Sequence, residues 1–210
     1  MPTDTFYRLP AQKRERLLAA IFDELSRVPV TELSINRIVQ GADISRGSFY
    51  QYFRDRDDLI QFLLDSVRSH IADFISATAP ACHGDPFELL RRILRWIREC
   101  GAASGSRIFC TNLLAHLSAS GCLTHCPPPG ISLQKMEEWF DRYFDRAALS
   151  LESEEDFPLM LEMLLSLLRT AIAELFTPDT DADAILRSFD RKLTILQRGM
   201  LQRKDLPHAL

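Results

Sequence analysis

Apolar side chains recur three and four residues apart along almost the whole chain. No run of alternating β-branched residues interrupts them, and no Asn-Gly or Asp-Gly pair offers a hairpin turn. The sequence therefore predicts an all-α protein. A three-helix N-terminal head is expected over residues 1–55, and a larger helical domain over residues 56–210.

The first helix is expected from about Pro10 to Arg27. Pro10 suits a first turn, Leu17, Leu18, Ile21, Phe22, Leu25 and Val28 share one apolar face, and Pro29 stops the run. Ser34 is placed to cap a second helix, whose Ile35, Ile38, Val39 and Ala42 point inward. Gly41 to Asp43 mark a turn, and Ser45 caps a third helix from about Arg46 to Phe53. Asp55, with Asp58 three residues on, makes an acidic variant of the capping box before a long helix running towards Ala79. The segment from Pro80 to Pro86 is a break. Helices are expected at about Phe87–Ala102, Arg107–Ser120 and Ser132–Leu149, with the irregular GCLTHCPPPG between the last two. Phe157–Phe176 is apolar nearly all round and must be buried nearly all round. The final helix begins near Pro178-Asp179, and its Leu186, Phe189, Leu193, Leu196 and Met200 alternate in steps of three and four, a seam for a partner helix.

The segment Ser34–Leu59, SINRIVQGADISRGSFYQYFRDRDDL, carries the chemistry. Two short helices around a tight turn form a helix-turn-helix, a device that lays its second helix in a DNA major groove. Ile38, Ala42, Ile44, Phe49 and Phe53 can form the joint. Asn36, Arg37, Arg46, Ser48, Tyr50 and Gln51 are left for the outer side. Arg46 and Gln51 can offer paired hydrogen bonds to base edges. Ser48, Tyr50 and Tyr52 suit phosphate oxygens, as does Arg56 at the start of the next helix.

These residues resemble the TetR family of one-component repressors over about Leu17–Leu63, most specifically in Tyr50, Tyr52 and Phe53. The resemblance implies a helical C-terminal ligand-binding and dimerisation domain. It also implies a ligand-responsive transcriptional repressor that binds a palindromic operator in double-stranded DNA as a homodimer and is released by an unidentified small-molecule effector. Residues matching Tyr50, Tyr52 and Arg56 commonly meet phosphates in that family, and those matching Asn36, Arg46, Ser48 and Gln51 face the groove. Three positions depart from the family pattern. Val39 replaces a small Ala between crossed helices, Gly41 weakens a helix end, and Asp43 replaces the usual turn Gly.

Composition bounds the reading. The 210 residues are 46% hydrophobic, enough for a sizeable core. The formal net charge of −4 hides an asymmetry: residues 1–56 hold nine Lys/Arg against seven Asp/Glu, while the remainder is acidic. DNA affinity must therefore come from local placement of Arg, not from a general basic field. No long apolar run and no signal-peptide core is present, so no membrane span and a cytoplasmic location are expected. Five cysteines without a secretion signal argue against a disulfide framework.

Trp96, Phe109, Asn112, His116, Trp139, Tyr143 and Met163 are the candidates to line an effector cavity among the middle helices. A dimer interface is expected on Leu186, Phe189, Leu193, Leu196 and Met200, the last two helices of two chains forming a four-helix bundle. No Gly-rich phosphate loop, HExxH or GxSxG appears, so neither an enzyme nor a cofactor is expected. Alternative readings are a helical metal- or thiol-sensing protein using the Cys122, His125 and Cys126 loop, and a transcriptional activator of the same fold.

Overall fold

The computed structural model describes residues 2–102, 108, 110–113, 133–146, 149, 151–177 and 179–200. Among them every regular element is a helix and none is a strand. The α-helices are α1 (Asp4–Tyr7), α2 (Ala11–Leu25), α3 (Ile35–Gly41), α4 (Arg46–Tyr52), α5 (Arg56–Thr78), α6 (Pro86–Ala102), α7 (Leu133–Tyr143), α8 (Asp156–Leu175) and α9 (Ala182–Met200). The chain divides into two compact units, one of Met1–Phe74 with Cys100–Ala119, the other of Ile75–Glu99 with Ser120–Leu210. No helix among the described residues is long and apolar enough to cross a membrane.

In the first unit α2, α3, α4 and the start of α5 close around Leu17, Ile21, Leu25, Ile38, Phe49, Phe53 and Leu59, all at most 1% exposed. Burial of that apolar area is what holds four short helices together, since seven-residue helices such as α3 and α4 are marginal alone. The caps are in place: Ser34 Oγ accepts from the Arg37 N–H, and Ser45 Oγ from the Ser48 N–H at 3.0 Å. At the head of α5 the Asp58 N–H donates to Asp55 Oδ1 at 2.7 Å, while Asp58 Oδ2 accepts from the Arg54 N–H. That is a capping box whose return bond lands one residue early.

One element of this unit has no periodic signal in the sequence. Helix α1 is a single turn, yet Phe6 is 2% exposed and its ring lies 5.2 Å from Phe53 and 5.1 Å from Phe62. The Thr3 N–H donates to the Tyr52 carbonyl, and Thr3 Oγ1 to that of Gln51. The segment thus caps carbonyls that the end of α4 would otherwise leave open.

In the second unit α8 and α9 pack against each other. Met160, Leu164, Phe189 and Leu193 are at most 3% exposed. Phe140 of α7 meets Phe157 of α8 edge to face at 4.9 Å, and the Arg146 guanidinium lies over the Phe157 ring at 3.8 Å. Helix α6 is tied to α9 by ion pairs, Arg91 Nε to Asp190 at 2.6 Å and Arg98 to Asp183 at 2.9 Å.

Two expectations change here. Helix α8 is not covered all round within the chain: Leu159 is 57% and Met163 49% exposed. The α9 seam is filled at its centre by the chain itself, since Phe189 and Leu193 are buried against their own unit. Leu186 and Leu196 are half-buried, and the Met200 side chain lies outside the described residues. Among the described residues, the large apolar side chain that α9 leaves to solvent is Ile195, 70% exposed. A seam of period 3.5 specifies that a helix is covered, not whether the cover comes from the same chain.

Candidate nucleic-acid interface

The turn between α3 and α4 is a Schellman closure. The Ile44 N–H donates to the Val39 carbonyl at 3.0 Å and the Asp43 N–H to that of Gln40 at 3.2 Å. Asp43 takes the left-handed position at φ 53, where a glycine is the common occupant. The preceding Gly41 has a packing reason: a Cβ there would sit 3.2 Å from the Ala20 Cβ. Here α3 passes close against Ala20 of α2, so close approach, rather than a weak helix end, accounts for the glycine.

This closure puts Ile38, Val39, Ala42, Phe49 and Phe53 inside and one row of polar groups outside. Asn36, Arg37, Arg46, Tyr50 and Gln51 are exposed, and Ser48 is half-exposed. Tyr52 is not among them. It is 8% exposed and belongs to the core, because the residue three past Phe49 falls on the same face of α4.

The outer row is ordered by its own hydrogen bonds. Arg46 Nη1 donates to Asn36 Oδ1 at 2.9 Å and Nη2 to Tyr50 Oη at 3.3 Å, with the guanidinium 5.8 Å from the Tyr50 ring centre. Ser45 and Ser48 share a hydroxyl hydrogen bond at 2.8 Å. Arg37 lies 3.9 Å from Glu24, and Arg56 Nη1 donates to the Thr31 carbonyl at 2.8 Å. Arginines held at defined angles on one face can meet phosphate oxygens and base edges with little further ordering.

Glu24 is a contributor that periodicity did not single out. It is 4% exposed, accepts the Ser34 N–H at 3.0 Å and pairs with Arg37. Its carboxylate thereby anchors the start of α3 to α2. The signal was present: Glu24 stands seven residues after Leu17, on the apolar side of its helix.

The effector candidates are scattered. Trp139 and Tyr143, one turn apart on α7, meet at a tilt of 49° with ring centres 5.2 Å apart, and both are half-buried. Trp96 is half-buried on α6, and Met163 is exposed on α8. Asn112 belongs to the first unit, where its amide donates to the carbonyls of Leu25 and Val28 at 2.7 and 2.9 Å, closing the end of α2. Phe109, His116, Cys122, His125 and Cys126 lie outside the described residues. Burial pushes the Cys110 thiol up to about 11, with Cys100 a smaller cause, and burial also raises that of Cys82. Both thiols are protonated, and so weakly nucleophilic, near neutral pH.

Residues 17–62 match the family described as bacterial regulatory proteins, tetR family. Residues 129–200 match the family described as tetracyclin repressor-like, C-terminal domain. The HTH-type transcriptional regulator AcrR of Shigella flexneri is 25% identical over 105 residues, 50% of this chain. The chain spans about half the length of that relative, 49%. A TetR-family transcriptional regulator from Pectobacterium atrosepticum superposes with TM-score 0.60 at 18% identity, over 93% of this chain and 99% of that one. A TetR family transcriptional regulator from Chloroflexus aurantiacus does so with TM-score 0.55 at 23% identity, over 97% and 100%. These likenesses share the fold, with a helix-turn-helix head and a helical C-terminal domain. With a family match at each end, over residues 17–62 and 129–200, the chain belongs to the TetR family of transcriptional regulators.

Proposed function

We propose that this chain is a one-component transcriptional repressor. As a homodimer it binds a palindromic operator, and a small-molecule effector taken up by the C-terminal domain releases it. The boundary between the roles falls near residue 55, where α4 ends and α5 begins. The observation that carries the reading is the polar row Asn36, Arg46, Ser48, Tyr50 and Gln51 on the outer face of a closed helix-turn-helix, with Arg46 held by Asn36 and Tyr50. A recognition helix such as α4 lies in one major groove, and two-fold symmetry would present a second copy to the next groove. The chain works in the cytoplasm, with DNA, effector and a second copy of itself as partners. Release follows only if the effector prefers the conformer whose heads no longer fit successive grooves.

Enrichment of bound sites from random duplex DNA with the full-length protein tests this reading. The expected product is a palindrome whose half-sites are centred about one helical turn apart. Recovery of no site, or of a site without two-fold symmetry, contradicts it.

A further inference from the structure

The Arg46 guanidinium is held from two directions before any DNA is present. Asn36, on the other helix of the motif, accepts from Nη1 at 2.9 Å, and Tyr50, one turn along α4, accepts from Nη2 at 3.3 Å. All three side chains are exposed, so burial does not explain the arrangement. A guanidinium has five N–H donors and these bonds use two, leaving three in one rigid plane, from which a neighbouring pair can be offered to a base. Such a pair matches the two acceptors, N7 and O6, that guanine alone displays side by side in the major groove.

We propose that Arg46 reads a guanine in each half-site, and that Asn36 and Tyr50 are positioning residues that set the plane of its guanidinium. The inference rests on the operator-binding reading above. Tyr50 has a second part in it. Its hydroxyl accepts from Arg46 and still has its own hydrogen to donate to a phosphate oxygen, so reading of the base and seating on the backbone are linked through one atom. Asn36, with its carbonyl oxygen turned to Arg46, holds the reader and does not itself select a base.

The test takes the full-length protein and its enriched site, and compares affinity for that site with affinity for versions carrying A·T in place of each G·C pair of the half-site. For the unaltered protein one guanine is expected to matter by about tenfold or more. In Arg46→Lys and Arg46→Ala that discrimination collapses towards unity. In Asn36→Ala and Tyr50→Phe it falls several-fold, while affinity for unrelated duplex and its salt slope stay within about twofold for Asn36→Ala. Asn36→Asp keeps the accepting oxygen and is expected to keep the discrimination at lower overall affinity. A merely structural role for Asn36 would lower both affinities together and leave their ratio unmoved, and that result overturns the proposal. So does full discrimination in both Asn36→Ala and Tyr50→Phe, or an Asn36→Ala preference altered at a different base pair. Failure of the unaltered protein to enrich any site instead removes the operator-binding reading itself, and this inference with it.

Discussion

Asp43 stands at φ 53 with its side chain 92% exposed, tied among the described residues only to Arg16 at 3.9 Å. A left-handed conformation costs a residue with a Cβ on the order of 1 kcal/mol or more, and an exposed pair at that distance returns little of it. Asp43→Gly is therefore expected to raise stability by about 1 kcal/mol, and Asp43→Val, β-branched at the same angle, to lower it by more. Urea denaturation followed by circular dichroism measures both. A less stable Asp43→Gly would show that the carboxylate contributes more than its geometry suggests. Gly41 lends itself to a cycle. Gly41→Ala presses on Ala20 across a 3.2 Å gap, and Ala20→Gly removes the atom it presses on. The double variant should be more stable than the sum of the two singles allows, by more than the ~0.5 kcal/mol within which independent sites add. Additive effects would mean that the crossing yields freely.

At the scale of the element, Asp181 shows how a cap and a pH dependence arise from one carboxylate. Its Oδ1 accepts from the N–H groups of Ala184 at 3.1 Å and Asp183 at 2.9 Å at the start of α9. Those backbone bonds, the one from Ala184 foremost and aided by Arg187, hold the carboxyl below its ordinary range. A depressed folded value means that the stabilisation is full above the unfolded value, about 3.8, and is lost as the pH falls through the folded one. The stability gap between the natural protein and Asp181→Asn should accordingly narrow as the pH drops from neutral to below 3.8. A gap that stays constant would assign the effect of the substitution to packing.

The elements also show what the sequence makes legible. Helices α2 to α6, α8 and α9 follow apolar periodicity and their Ser, Asp and Pro signals to within a few residues, because cap and pattern act locally. Helix α1 escapes that reading. One turn has no period, and its stability comes from Phe6 inserting beside Phe53 and Phe62, a contact between segments about fifty residues apart. Tyr52 is opaque for a related reason, and Glu24, though in register with the apolar face of its helix, shows its role only once Ser34 and Arg37 are placed. A tyrosine reads as a surface residue until the neighbour that buries it is placed. The outer row from Asn36 to Gln51 was legible as a set, whereas the bond from Asn36 to Arg46 that organises it spans the turn and appears only in three dimensions.

For the whole molecule, the covered and open faces of α8 and α9 decide how two chains would meet. Leu193 is 0% exposed inside its own unit, so Leu193→Glu is expected to unfold that unit and yield aggregate, not soluble monomer. Among the described residues, Leu159, Met163 and Ile195 are the large apolar side chains these two helices leave open. In a four-helix bundle with a second chain they are the ones to be covered. Ile195→Glu should give a folded chain of half the mass by light scattering. A folded dimer in Ile195→Glu would place the interface elsewhere.

Whether one exposed face of the helix-turn-helix reads a two-fold operator is decided by a fluorescence titration. The full-length protein is titrated at one fixed salt concentration against its enriched duplex, and against the same duplex with one half-site scrambled. Two chains per duplex and an affinity for the intact site roughly a thousandfold or more above that for random DNA are predicted, with most of it lost on scrambling. Equal affinity for intact, half-scrambled and random duplexes would contradict the account.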